Sequence, residues 1–428
     1  MRKRKIRLSI IVVLITIAVS ISSCVGIKTM NPGDGGTDIS SPPPSGDPSG
    51  TPDVSPSDTP STDNPGTPSE TPPVVVTTPP PPPPPPANLV DYNGIVEHIF
   101  FHPIITYNEL AFDGDYQEKG LDEYMVTLSE YNKMLQSIYD NNYILVNMND
   151  VWSETTDANG KTIMKKNTLK IPEGKKPLII SYDDVNYYTY MLENGMTYKL
   201  IIGDDGELWS QGFDPQGNEV ISQDLDAVTI LDKFVREHPD FSLNGAKGCL
   251  ALTGYEGILG YRTNTETGDN SAAFEANRQK EIELVKPIIQ KLKDTGWYFA
   301  SHSFGHINFE RTDFSKVKAD AQRWQREVQS LIGPTKLLIY PFGSRLDKND
   351  VTQTGEAFKY YHSLGFRVFA SVGIESFSKI KSDISAVICD RMHCDGGTLR
   401  RERDRYMKFY DAKEVMDPER PNYGTKWS

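Results

Sequence analysis

Two carboxylates and two imidazoles stand in two short segments of this chain. One segment is Ser181-Tyr182-Asp183-Asp184, at the end of an apolar run. The other is Ser301-His302-Ser303-Phe304-Gly305-His306. An aspartate and two histidines suffice to hold one divalent cation, which leaves a second aspartate unligated as a base. That set suits metal-assisted hydrolysis. Neighbouring strand residues point to opposite sides, so Asp183 and Asp184 can face one site only where their strand is ending. Two buried carboxylates without a cation would force one to keep its proton; a cation removes the conflict. His302 and His306 lie four apart, so a helical turn there would project both rings from one face. Two histidines at that spacing are, on their own, as often plain surface residues.

The chain around these segments divides by composition. Arg2, Lys3, Arg4, Lys5 and Arg7 precede an apolar run from Ile10 to Val19. The run is short for a membrane span of about 20 residues. It ends in Ile21-Ser22-Ser23-Cys24, which resembles the lipobox of bacterial lipoproteins and implies lipidation at Cys24. Residues 1–23 are then a leader, and 24–88 a Pro/Ser/Thr-rich linker that cannot build a core. The linker contains eight consecutive prolines, Pro79 to Pro86, a run that prefers extended polyproline II. Residues 89–428 are long enough for a full core. Removing five basic and no acidic leader residues takes the formal charge from −13 to −18. That balance excludes ordinary nucleic-acid binding, which needs clustered Lys and Arg. The three cysteines after Cys24 form no disulfide framework, although Cys389 and Cys394 are near enough in sequence to pair if the chain turns.

Apolar strand patterns at 97–101, 143–148, 177–182, 248–253, 297–301, 337–340, 367–372 and 386–391 alternate with helical patterns. This predicts an α/β fold: a (β/α) barrel, distorted or incomplete, with seven or eight strands. Thr127-Leu128-Ser129-Glu130 predicts a capping box. Pro287 should kink or divide the helix predicted over 274–292. Alternation from Thr197 to Ile221 predicts a β-hairpin insertion at about 187–225, either a wall overhanging the site or a decoration that does not touch it. In such barrels active residues sit at the C-terminal strand ends, where Asp183, Asp184, His302 and Pro341 all fall.

In this order the segments resemble the polysaccharide deacetylases, carbohydrate esterase family four. Ser181-Tyr182-Asp183-Asp184 stands for the first motif and His302-Ser303-Phe304-Gly305-His306 for the second. Tyr340-Pro341-Phe342-Gly343 stands for the Pro-Tyr-Gly step of the third. The resemblance implies Asp183 as general base and Asp184, His302 and His306 as metal ligands. It implies Pro341 and Phe342 at the oxyanion, through the Phe342 N–H. The ion would be zinc, with cobalt, nickel or iron as alternatives. His393, in Arg391-Met392-His393, is the nearest match to the general acid. His102 ends the first strand at the active face, where a structural role is an equal reading.

Two departures stand out. The third-motif Arg position holds Ile339, so Arg262 or Arg391 must replace it if anything does. No counterpart of the family's Asp-Trp motif is found. The resemblance implies a monomeric hydrolase that removes N-acetyl or O-acetyl groups from a polysaccharide on the outer face of a bacterial membrane. A non-catalytic glycan-binding protein on the same scaffold is the alternative. A glycoside hydrolase fits less well, because its two carboxyls must flank a bond.

Overall fold

The computed structural model describes residues 88–265, 271–347 and 354–421. The expected leader, Cys24 and the linker through residue 87 lie outside the described residues. Seven parallel strands close into a barrel. They are β1 (Glu97–Phe101), β2 (Lys176–Asp183), β3 (Cys249–Leu252), β4 (Tyr298–Ser301), β5 (Leu337–Ile339), β6 (Val368–Val372) and β7 (Ala386–His393). Each pairs with the next in parallel, and β7 returns to β1. The barrel is distorted in two places. Tyr143–Leu145 pairs with the start of β2, on the side that β3 occupies farther along. Strand Phe377–Lys381 lies antiparallel on the first half of β7, so only Met392 and His393 reach β1. The strand predicted at 143–148 is thus a short wedge, Tyr143–Leu145, rather than a stave.

The strands are buried on both faces, as parallel strands under helices must be. Side chains split by parity. Ile180, Tyr182, Leu250, Leu252, Leu338 and Phe369 join the core beneath the helices. Ile179, Ala251, Ala300, Ile339, Ala370 and Cys389 pack in the barrel lumen. Period two then carries Ser181 and Asp183 on β2, and Arg391 and His393 on β7, into the upper lumen. The sequence places polar residues at the top of an otherwise apolar stack, and that position defines the site.

The covering helices are α1 (Leu128–Asp140), α2 (Ala227–Glu237), α3 (Ala272–Asp294), α4 (Phe314–Trp324) and α5 (Glu356–Ser363). Thr127 and Glu130 form the expected capping box on α1. α3 runs unbroken through Pro287. The proline is on the solvent side, and buried Val285, Ile288, Ile289 and Leu292 anchor the helix around it. After α4 the chain passes through one π-turn, Gln325–Gln329. The segment expected as one hairpin is a three-stranded antiparallel sheet of Lys199–Ile202, Leu208–Phe213 and Glu219–Ser222. It rests on α2 through Ser210 and Thr229, and its Leu200 N–H donates to Leu259. Cys249, Cys389 and Cys394 are free thiols. Among the described residues no helix is long and apolar enough to cross a membrane.

Fully buried Arg420 clamps the start of α1. Its Nε and Nη2 donate to the two Glu130 oxygens at 2.6 and 2.7 Å, and its Nη1 to Asp122 at 2.9 Å. Arg420→Met leaves Glu130 buried without its cation and is expected to cost about 3–5 kcal/mol. Urea unfolding should read this as a lower midpoint at unchanged slope; an unchanged midpoint would refute the clamp.

Candidate metal centre

The aspartate pair occupies a strand end, as its spacing requires. Asp183 is the last residue of β2 and points into the lumen. Asp184 adopts φ 61°, in the left-handed region, and this reversal turns its carboxylate toward the same space. Two bonds fix it: its N–H donates to Ala251 at 3.2 Å, and the Tyr188 hydroxyl donates to its Oδ1 at 2.8 Å.

The two histidines reach the site on a non-helical turn, not on the helical segment considered from their spacing. His302 continues the line of β4, and Ser303 and His306 take φ 57° and 50°. The turn is held by Asp320 on α4, whose two oxygens accept the N–H groups of Phe304 and Gly305 at 2.8 and 2.7 Å. His302 Nδ1 lies 2.9 Å from the Ile339 carbonyl. A carbonyl only accepts, so Nδ1 carries the proton and Nε2 presents its lone pair to the site. His306 Nε2 lies 3.7 Å from Asp184 Oδ2.

Ligand atoms of Asp184, His302 and His306 all fall within 4.8 Å of one another. Their electrostatics suit a cation. Burial pushes the His306 imidazole down to about 4 against the opposing pull of Asp184, so it is neutral at pH 7. Burial raises the Asp184 carboxyl, but His306 and His302 outweigh it and hold it below its ordinary value. One carboxylate oxygen and two imidazole nitrogens are the donor set that divalent zinc, iron or cobalt accepts.

Asp183 stays outside that triad, with Oδ2 3.9 Å from His302 Nε2. Its partner is Arg391 from β7, whose Nη1 and Nη2 donate to Oδ1 and Oδ2 at 2.8 and 3.0 Å. The guanidinium is fully buried and lies 4.0 Å over the Phe100 ring. Its Nη1 also donates to Ser181 Oγ at 3.1 Å, and that hydroxyl lies 3.0 Å from His98 Nε2. Burial raises the Asp183 carboxyl, yet Arg391 and His302 outweigh it and hold it at about 2.

Of the two arginines considered for the third-motif position, Arg391 is the one that pairs with Asp183. Arg262 is elsewhere: its Nη1 and Nη2 donate to the Glu256 and Tyr187 carbonyls at 2.7 and 2.9 Å. Pro341 and Phe342 form the turn after β5. Phe342 takes φ 59°, and its half-exposed ring meets His306 edge-on at 4.4 Å. His102 bonds the Tyr124 carbonyl through Nδ1 at 3.1 Å. His393 is the last residue of β7, stacked 6.0 Å from Phe100. Its Nδ1 lies 2.7 Å from Asp395 Oδ2. Burial lowers the imidazole, but Asp395 outweighs it and raises its pKa. Asp395 also caps the following helical turn by accepting from the Thr398 N–H.

Asp320, Asp395 and the His98–Ser181 pair were not picked out from sequence. Asp395 carried a signal, because position i+2 on a strand shares its face with His393. Asp320 and His98 carried none, since their partners lie in other elements.

Residues 265–368 match the family model described as polysaccharide deacetylase. That stretch holds both histidines and the Pro341-Phe342 turn, and excludes Asp183, Asp184 and Arg391. Among solved structures, the chain is similar to the Streptococcus pyogenes deacetylase PplD in complex with acetate. The identity is 12% and the TM-score 0.39, over 77% of this chain and 100% of that one. It is also similar to BC0361, a polysaccharide deacetylase from Bacillus cereus, at 12% identity and TM-score 0.37, over 70% and 65% of the two chains. No curated protein matches the chain.

Asp320→Ala removes the acceptor for two amides between the ligands and should weaken divalent-metal binding by about 10- to 100-fold. Calorimetric titration with zinc checks this; wild-type affinity would show that the turn holds itself.

Proposed function

We propose that the chain is a polysaccharide deacetylase, a metal-dependent hydrolase that releases acetate from N-acetyl or O-acetyl groups of a cell-envelope or extracellular polysaccharide. The observation carrying this reading is the pairing of a three-donor cluster, Asp184, His302 and His306, with an unligated, ionised Asp183 locked to Arg391 beside it. The family match over residues 265–368 supports it. A divalent cation held by that triad, zinc by preference, supplies Lewis-acid polarisation of the acetyl carbonyl and acidifies a water.

The chain's own residues do the rest. Asp183, kept ionised and oriented by Arg391, accepts a proton from the attacking water. The Phe342 N–H, in the turn against His306, donates to the developing oxyanion; one such donor is worth about 3–4 kcal/mol. His393, held by Asp395 with its proton retained, gives that proton to the leaving amine or alcohol. The Arg391 contact on Asp183 and the Asp395 contact on His393 support the catalytic reading over a purely glycan-binding one. Lipidation at Cys24 and the proline-rich linker complete the proposal: a monomer tethered to the outer face of the membrane.

The decisive assay is acetate release from peptidoglycan, chitin oligomers and xylan, with chelator and with metal added back. His302→Ala should lose metal and activity together. Asp183→Asn should keep its metal and lose about 100-fold or more in kcat. Acetate release at the wild-type rate from Asp183→Asn would end the base assignment, and chelator-resistant release would end the metal reading.

The acid assignment is checked by pH. Because Asp395 raises the His393 pKa, the proton is present below that raised value and lost as pH climbs through it. The alkaline limb of the kcat profile should therefore lie above the ordinary histidine pKa of about 6.5, and Asp395→Asn should move it to lower pH. A limb that stays in place would dissociate His393 from the proton transfer.

A further inference from the structure

A cavity of about 390 Å³ opens beside the metal centre, between the loops after β2 and β3 and the first turns of α3. Thr189, Glu256, Arg262, Asn264, Asn277 and Phe274 line it. These loops leave the C-terminal ends of their strands, so the cavity opens on the face that carries Asp184. Two stacked rings stand between cavity and metal site. Tyr188 donates to Asp184 and stacks on Tyr255 at 4.6 Å. The next residue after each ring, Thr189 and Glu256, belongs to the cavity. Any molecule in the cavity is thus coupled by one peptide unit on each side to the shell of a proposed ligand.

The polar groups of the cavity are fixed in advance. Glu256 Oε2 accepts from the N–H and hydroxyl of Thr189, both at 2.9 Å. Arg262 is anchored by the carbonyls of Glu256 and Tyr187, which engage two of its five N–H donors. Arg278, which also lines the cavity, is held by Glu275 at 2.8 Å. The charges balance, with Glu256 3.9 Å from Arg262 and Glu275 on Arg278. A strongly charged ligand would therefore meet as much repulsion as attraction. Immobile donors and acceptors in one neutral, water-accessible recess, with the Phe274 ring on one wall, match a molecule that carries many hydroxyls around an apolar ring face.

We infer that this cavity is a saccharide subsite, which binds a neutral pyranose unit of the polymer at a distance from the unit that loses acetate. The inference rests on the deacetylase reading for its substrate, although the binding itself does not. Binding energy gained there, away from the reacting bond, favours longer chains over short ones. It also gives Arg262 a role in holding substrate rather than in orienting the base.

The test compares the full-length, metal-loaded protein with Asn277→Trp, which fills the cavity from an exposed helix position. Probes are the β-1,4-linked dimer and pentamer of N-acetylglucosamine. For the wild type, kcat/KM should rise about tenfold or more from dimer to pentamer, and the loss in Asn277→Trp should be about tenfold larger on the pentamer than on the dimer. Equal losses on both, or none, overturn the subsite. Should the wild type release no acetate from either oligomer, the deacetylase reading is judged by the peptidoglycan and xylan assays above, and calorimetry with the pentamer judges the cavity alone. Binding weakened about tenfold by Asn277→Trp upholds it; unchanged binding, or no binding by the wild type, overturns it. Phe274→Ala, which enlarges the cavity instead of filling it, should shift the same ratio in the same direction; a pentamer preference equal to that of the wild type removes the ring from the subsite.

Discussion

The Asp183–Arg391 pair is the constraint on which the upper barrel depends. A carboxylate at the top of a lumen built from Ile179, Ala251, Ala300 and Ile339 has lost most of its water, and burial alone would make it take up a proton. Two charge-assisted bonds from a guanidinium of zero exposure reverse that outcome. Burying two ions is itself expensive, and such a pair stabilises a fold only when its remaining valences are met. Ser181 takes one further Arg391 proton and His98 backs Ser181, while Arg391 Nε stays buried without a partner among the described residues, so the pair is only partly compensated. Burial drives the His98 pKa far down, so it enters this network neutral and adds no second cation. The pair also has a chemical consequence. A carboxyl held at about 2 is a weak base toward ordinary water, so it can act only on water whose acidity has been raised. On the reading proposed above, Asp183 and the three-donor cluster beside it are therefore useful together and not separately.

The second constraint is backbone geometry. Asp184, Ser303, His306 and Phe342 all adopt positive φ. For residues with a Cβ this costs on the order of 1–3 kcal/mol each, and it persists only where the surroundings impose it. Each has visible enforcement: Ala251 and Tyr188 on Asp184, Asp320 on the turn between the histidines, and the Phe342 ring packed against His306. Strand ends bring the side chains near one another; these left-handed residues then turn them inward. The inward turn at Asp184 lets two adjacent residues serve one site, which an extended strand forbids.

This division explains what the sequence disclosed. The barrel was legible because parallel strands buried on both faces read as short continuous apolar runs, and because four of the site residues sit in two local clusters. The antiparallel strand laid on β7 was not legible. Strand Phe377–Lys381 is largely exposed and has no alternating apolar face, since its pairing with β7 rather than a core holds it. The four-residue spacing of His302 and His306 is shared by helix and turn, and the deciding residue, Asp320, lies in another element. Arg391 and Asp183 are 208 positions apart. Their partnership follows from strand order around the barrel, which the sequence leaves open; the absence of a third-motif Arg announced that a substitute was needed but not which one. His393 and Asp395 were separable only by reading period two past the end of the strand.

Strand β7 emerges as the element that sets the acid–base polarity of the mouth. Arg391 and His393 are two residues apart and so share its inner face. From that face Arg391 drives the Asp183 carboxyl down, while Asp395, just beyond the strand, draws the His393 imidazole up. Two titratable groups across one opening are thereby pushed apart, the carboxylate toward permanent charge and the imidazole toward retention of its proton. That separation distinguishes a proton acceptor from a proton donor. Both adjustments act through fixed ion pairs on a strand hydrogen-bonded to its neighbours on either side, so neither depends on loop closure. The polarity is built into the barrel before any substrate arrives.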